Sequence, residues 1–154
     1  MEYLLVKWIH VVFSTLLFGT GLGTAFYLLV VTQTRDVRAI AIVARKVVLA
    51  DWLFTAPTAI LQPVTGAWMV HLAGYSWTSP WLLWSVILYG VAGACWLPVV
   101  GIQIRLQRLA QEADAKQLPL PAAYWRDFRV WVALGVPAFL AFLGIFYLMV
   151  VKPA

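Results

Sequence analysis

Long charge-free stretches dominate the chain. No charged residue lies between Lys7 and Arg35, between Asp51 and Arg105, or between Arg129 and Lys152, gaps of 27, 53 and 22 residues. Inside them apolar residues run on continuously and do not alternate, which predicts helices crossing a membrane and excludes a β-barrel. A helix crosses about 30 Å of hydrocarbon in roughly 20 residues, so the first and last gaps each hold one span. The middle gap is too long for one. Gly74-Tyr75-Ser76-Trp77-Thr78-Ser79-Pro80 supplies the turn residues that divide it. The expected architecture is all-α, a transmembrane four-helix bundle forming one integral membrane domain over residues 1–154. Its spans are expected at about 4–31, 47–73, 81–104 and 130–151.

Composition agrees with that pattern. Hydrophobic residues make up 64% of the chain and charged residues 11%, against about 45–50% and about 25% in a soluble domain. Mean hydropathy is +0.89. Disorder, a coiled coil and a water-soluble enzyme are excluded. The net charge of +5 is no sign of a nucleic-acid partner, because the basic residues are placed asymmetrically. Arg35, Arg38, Arg45 and Lys46 fall in loop one, and Arg105, Arg108, Lys116, Arg126 and Arg129 in loop three. The positive-inside rule then puts loops one and three in the cytoplasm and both termini outside. The N-terminal apolar stretch is longer than a signal-peptide core and has no Ala-x-Ala at its end, so a retained helix is expected.

Loop three is expected to stay helical through Ala115 and to break at Lys116-Gln117-Leu118-Pro119-Leu120-Pro121. Tyr124 and Trp125, with Arg126 and Arg129, then read as an interfacial anchor for the last span, and Asp36 as the cap of a helix in loop one. Trp8, Tyr75, Trp77, Trp81 and Trp84 fall near the outer interface and Trp52, Tyr124, Trp125 and Trp131 near the inner one, the pattern of an aromatic belt.

Few polar residues remain inside the spans, and helical spacing sorts them. In the second span Asp51, Thr55, Thr58, Gln62 and Thr65 follow steps of 4, 3, 4 and 3, which keeps them on one face. A polar stripe in hydrocarbon is costly unless it faces protein or water, so it should point into the bundle. Interhelical hydrogen bonding and a functional cavity are both open readings of it. Asp51 stands four residues into its span and is read either as an intramembrane acid or as a partner of Arg45 or Lys46. Pro57 and Pro63 interrupt the same helix, and the carbonyl freed near Ala59 is expected to be satisfied by Thr58 or Gln62. In the first span Tyr3, Lys7, His10, Ser14, Leu17, Gly21 and Thr24 share a stripe, while Gly19 and Gly23 form a small-xxx-small pair expected to contact another helix closely.

The two histidines are the candidates for cofactor binding. With this topology His10 and His71 lie at similar depth in the outer leaflet, where imidazoles are suitable axial ligands of a b-type haem. The helical wheel puts His71 on the face opposite Gln62, which leaves His10 the stronger candidate and His71 the weaker one. No metal site is expected beyond haem iron at His10. Cys95 is single, so a disulfide within the chain and a zinc cluster are excluded by count, and Met69 and Met149 make no copper box. Hydrolase, phosphate-loop and zincin motifs are absent, so catalytic residues are not assigned.

Several blocks carry a resemblance. They are Lys7-Trp8-Ile9-His10, Phe18-Gly19-Thr20-Gly21, Asp51-Trp52-Leu53-Phe54-Thr55-Ala56-Pro57 and Gln62-Pro63-Val64-Thr65-Gly66, followed by Ala94-Cys95-Trp96-Leu97-Pro98-Val99-Val100 with Gln103 and the ending Val151-Lys152-Pro153. Together these resemble a bacterial family of predicted four-span integral membrane proteins of unknown function. The Lys-x-x-His opening and Lys-Pro ending are distantly similar to four-helix membrane protoporphyrinogen oxidases and to the copper-resistance D membrane proteins. That similarity implies haem binding through a membrane histidine, carried over to His10 alone. The chain departs from the oxidases in having Leu134-Gly135-Val136-Pro137 where their pattern places Asn-Glu before a proline.

Three functions follow as expectations. The first is a redox-linked protein of the bacterial cytoplasmic (inner) membrane that binds haem b or another tetrapyrrole through His10. The second is a non-catalytic membrane subunit or assembly factor, working as a homodimer or with another membrane subunit. The third is a small dimeric transporter using the Asp51–Thr65 stripe.

Overall fold

The computed structural model describes residues 1–153. It is helical, with no strand among the described residues. Helix α1 runs over Glu2–Thr34, α2 over Val37–Ala50, α3 over Ala56–Ala73, α4 over Pro80–Ala115 and α5 over Ala122–Val151. A π-helical turn, Asp51–Thr55, joins α2 to α3 without a break, so the chain forms four rods.

The breaks between rods have local causes. Arg35 takes a left-handed conformation (φ 60°) and donates its N–H to the Thr32 carbonyl, and Asp36 then caps α2 by accepting from the Ala39 N–H at 3.0 Å. Gly74 closes α3 with φ 67°, a backbone that glycine adopts without strain, and the Tyr75 N–H reaches the Val70 carbonyl at 3.1 Å in a Schellman arrangement. Pro80 opens α4 at its first position, where the missing N–H costs nothing. The break after Ala115 falls where Lys116–Pro121 was expected to make it.

The π turn has its origin in Pro57. Proline has no N–H for the Leu53 carbonyl and its ring crowds that carbonyl, so the chain widens by one residue and the Ala56 N–H bonds to the Asp51 carbonyl.

Helices α1, α4 and α5 are each long and apolar enough to cross a membrane; the second rod is not among them by that measure. The π turn divides that rod into α2, too short to cross by itself, and α3, whose polar residues lower its hydropathy although most of them face protein.

The rods pack as two pairs. Helix α1 lies against α2, the π turn and α3, α5 lies against α4, and α2 joins the pairs through α4. The core gathers where α1, α2, α4 and α5 converge, from Leu28, Ile40, Ala44, Val47, Leu106, Tyr124 and Trp131. Tyr124 and Trp131 therefore depart from the expected interfacial belt. Tyr124 is 0% exposed and its hydroxyl meets that of Thr32 at 3.0 Å, because α5 begins eight residues before the charge gap and carries both rings into the helix junction. Burial pushes the Tyr124 phenol above its ordinary pKa. Trp8, Trp52, Trp77 and Trp84 are exposed, as a belt requires.

Near mid-length the pairs also touch through aromatic rings. Phe18 of α1 packs on Phe139, Phe142 and Phe146 of α5, with ring centroids 5.7, 6.0 and 5.1 Å away. Lys152 lies against Tyr75 and Trp81, its ammonium 5.1 and 5.2 Å from their ring centres, which ties the end of α5 to the turn after α3. Gly19 and Gly23 do not make the expected helix contact within the chain: a Cβ on either would meet nothing within 4 Å. The glycine that admits a close neighbour is Gly144, where a Cβ would stand 2.9 Å from Leu88 Cδ1.

Candidate functional site in the bundle interior

The stripe predicted on the second rod points inward. Asp51, Thr55, Thr58 and Thr65 are buried, and Gln62 is half-buried. Each threonine finds a partner close by. Thr58 donates to the Phe54 and Thr55 carbonyls, Thr65 to those of Leu61 and Gln62, and Thr55 to Asp51 Oδ1 at 2.9 Å. Such bonds remove the cost of hydroxyls in an apolar interior, so the stripe packs against protein.

Two of these residues meet His10 across the α1–α3 interface. Thr65 Oγ1 lies 2.8 Å from His10 Nδ1, and Gln62 Nε2 lies 3.1 Å from His10 Nε2. The single hydroxyl proton of Thr65 is committed to backbone carbonyls, so its oxygen accepts and His10 Nδ1–H donates. His10 Nε2 is then the lone-pair nitrogen, accepting from the Gln62 amide N–H. Gly66 completes the contact, since a Cβ there would come within 3.3 Å of His10 Cε1. Fixing Nδ1–H and presenting Nε2 is how imidazoles are prepared to ligate metals.

His71 is not part of this cluster. It is exposed on α3, on the face opposite Gln62 that the helical wheel assigned it. Among the described residues no group of three or more His, Cys, Asp or Glu side chains could hold a metal ion.

Asp51 forms no ion pair with Arg45 or Lys46 among the described residues, and both of those side chains are exposed. Its carboxylate turns inward instead and accepts from the Thr55 hydroxyl, and Gln103 on α4 is buried as well. The carbonyl freed by Pro63 also has a partner on α4: Tyr89 donates its hydroxyl to the Ala59 oxygen at 2.6 Å, where Thr58 and Gln62 were expected. A phenol from a neighbouring helix can approach that carbonyl along the gap left by the missing N–H, whereas Thr58 is already bonded one turn back. Neither Gln103 nor Tyr89 was identified as a site residue from the sequence. Each is an isolated polar residue in an apolar helix, with no periodic companions. The signal for Gln103 was its position inside the longest charge-free gap.

Two open hollows lie at the other end, by the turns after α1 and α4. One is lined by Arg35, Val37, Pro119, Leu120 and Trp125, and the second by residues around Asp36 and Gln117. Arg35 stacks over Trp125 there, 5.9 Å from the ring centre.

No curated protein and no solved structure matches this chain. One family does, over residues 4–153, which is nearly the full length and includes every block singled out above. Helices with long charge-free stretches agree with that family's description, and the chain belongs to the family of predicted integral membrane proteins designated DUF2269.

Proposed function

We propose that this integral membrane protein is a redox-linked four-span bundle of the bacterial cytoplasmic membrane, with both termini outside, whose His10 Nε2 is an axial ligand for haem b. The observation that carries the reading is the His10 geometry, with Nδ1–H held by Thr65 and the Nε2 lone pair facing a movable glutamine amide. His10 would offer the group one imidazole nitrogen per chain. His71 faces away, so a second imidazole would come from elsewhere. Lys7, one turn before His10 on the same stripe, is exposed and supplies a cation for a propionate. Bound haem supplies one-electron transfer. The chain's own residues Thr65 and Gln62 would orient the imidazole.

The test is an absorption spectrum of the purified protein in mild detergent, oxidised and then reduced with dithionite, after haem supplementation. The expected result is a Soret band that sharpens on reduction, is lost in His10→Ala, and is kept or strengthened in Gln62→Leu, which removes the competing hydrogen bond. A colourless supplemented protein, or an unchanged spectrum in His10→Ala, overturns the reading.

A second reading, a membrane subunit that associates with a copy of itself or another chain, is favoured by the open space beside Gly19 and Gly23. The transporter reading gains less support, because four of the five stripe residues are buried against protein.

A further inference from the structure

At the end of the bundle away from His10, the turns after α1 and α4 border an open hollow of about 380 Å³, lined by Arg35, Val37, Pro119, Leu120 and Trp125. That size is at the small end of the roughly 300–1,000 Å³ of ligand clefts, room for a headgroup. Its floor is apolar and anchored. Leu120 and Trp125 pack against the buried core, and the Trp125 ring meets Tyr124 and Phe128 edge to face, with centroids 5.8 and 6.5 Å away. Arg35 is the one charged residue in the lining. Its guanidinium lies over the Trp125 ring, 5.9 Å from the centre, and stacking of this kind restrains a side chain that is otherwise free to swing.

Arg35 is exposed, and it forms no ion pair among the described residues. The carboxylates at this end have other places. Asp36 accepts from the Ala39 N–H as the cap of α2, and with Arg38 and Asp114 it lines the neighbouring hollow. Asp127 is taken by Arg105 and Arg126, at 2.8 and 3.3 Å. Helices α2 and α5 both begin at this end, so the positive ends of their dipoles add to the field. A stacked guanidinium without a carboxylate, set above an apolar floor, suits an oxyanion that carries an apolar body.

The depth of the hollow identifies that body. Arg35 is the first charge after the apolar stretch of α1, and Trp125 stands one turn before Arg129, where the apolar stretch of α5 begins. The hollow therefore lies where hydrocarbon gives way to headgroups. A soluble phosphate would leave the apolar floor unused, whereas a phospholipid has a part for each surface. We propose that this hollow binds one anionic phospholipid, with its phosphodiester on the Arg35 guanidinium and its glycerol and first acyl carbons on Val37, Leu120 and Trp125. Basic residues beside a membrane also draw anionic lipids diffusely, each charge contributing a similar amount. A fixed site makes Arg35 count for more than Arg45 or Lys46, which are exposed on α2. The site needs nothing at His10, so it stands or falls separately from the haem reading.

Native mass spectrometry of the full chain in mild detergent tests this, titrating phosphatidylglycerol against phosphatidylcholine with the same acyl chains. The expected result is one phosphatidylglycerol retained per chain in preference to phosphatidylcholine. Arg35→Gln should weaken its binding about tenfold, the usual effect of losing one charge-assisted hydrogen bond. Arg35→Lys keeps the charge without the planar fork and should recover only part of that loss. Trp125→Leu alters no charge and should also weaken binding. The pair Arg45→Gln with Lys46→Gln removes twice the charge of Arg35→Gln and should leave the first lipid bound. Arg35 is exposed in a turn, so its variants should unfold at the parent's temperature in lipid-free detergent. Equal losses in Arg35→Gln and in the Arg45/Lys46 pair would assign binding to diffuse attraction and overturn the proposal. Equal retention of phosphatidylcholine overturns it as well. So does displacement of the lipid by millimolar inorganic phosphate, which would assign the hollow to a soluble anion.

Discussion

Pro63 removes one backbone donor in the middle of α3, and a single phenol on another helix takes its place. This substitution of Tyr89 O–H for a missing N–H makes a quantitative prediction. Tyr89→Phe should cost about 1 kcal/mol, in the upper half of the range for interhelical bonds in membranes. In a Pro63→Ala background the alanine N–H satisfies the Ala59 carbonyl itself, so the cost of Tyr89→Phe should fall toward zero. Reversible unfolding in mixed micelles measures all four corners of that cycle, and strictly additive losses would count against the substitution. The same residues mark what was readable from the sequence. The 4-3-4-3 spacing of Asp51, Thr55, Thr58, Gln62 and Thr65 was enough to place them inside, because helical periodicity is a local property. Which group would answer the freed carbonyl depends on how α4 approaches α3, and nothing around Tyr89 encodes that approach locally. The meeting of His10 with Gln62 and Thr65 was half legible: stripe and histidine were both singled out, but their pairing is a matter of helix register.

Between helices, glycine spacing misled and glycine packing informs. The Gly19/Gly23 pair has the sequence form of a close contact, yet open space surrounds both α-carbons, whereas Gly144 stands against Leu88 with no such motif around it. A motif records that a close approach is allowed; the partner surface decides whether it occurs. Gly19→Ala and Gly23→Ala should therefore leave the isolated chain unchanged or stabilise it by up to about 1 kcal/mol through helix propensity. Gly144→Ala should destabilise it by about 1–3 kcal/mol, unless the flexible end of Leu88 moves aside. Thermal unfolding in detergent separates the two classes. Cross-linking in lipid adds the functional question: if the Gly19/Gly23 face joins two chains, Gly19→Leu should abolish the cross-linked pair. An unchanged pair would remove the support for the subunit reading at that face. The π turn belongs to this scale as well. Two prolines were visible in the sequence as interruptions, but only Pro57 widens the helix. Pro63 instead stays within a regular α3, its orphan carbonyl answered from α4.

At the scale of the molecule, the second rod decides the topology. Taken helix by helix, length and hydropathy select three spans; the second rod is not among them because the π turn divides it into α2, of 14 residues, and α3, of 18 residues with polar threonines and a glutamine that face protein. Packing argues differently. His10, in the first third of α1, meets Thr65 in the last third of the second rod, and Thr32, near the end of α1, meets Tyr124 at the start of α5. Lys152 closes on Tyr75. The N-terminus, the turn after α3 and the end of α5 thus share one end of the bundle, and the turns after α1 and α4 share the other. If α1 crosses the bilayer, the rod lying beside it from Thr65 back to α2 crosses too. Single cysteines in a Cys95→Ala background test this at three exposed turn positions: Thr34→Cys, Ser76→Cys and Gln117→Cys. A membrane-impermeant maleimide applied to intact cells should label only Ser76→Cys. The other two should react only after the membrane is opened, as expected for turns flanked by the nine clustered basic residues. Thr34→Cys and Ser76→Cys reacting from the same side would mean that the second rod does not cross. The inward stripe would then belong to a rod that enters and leaves by one face, and the His10 site would lose its place in the outer half of the membrane.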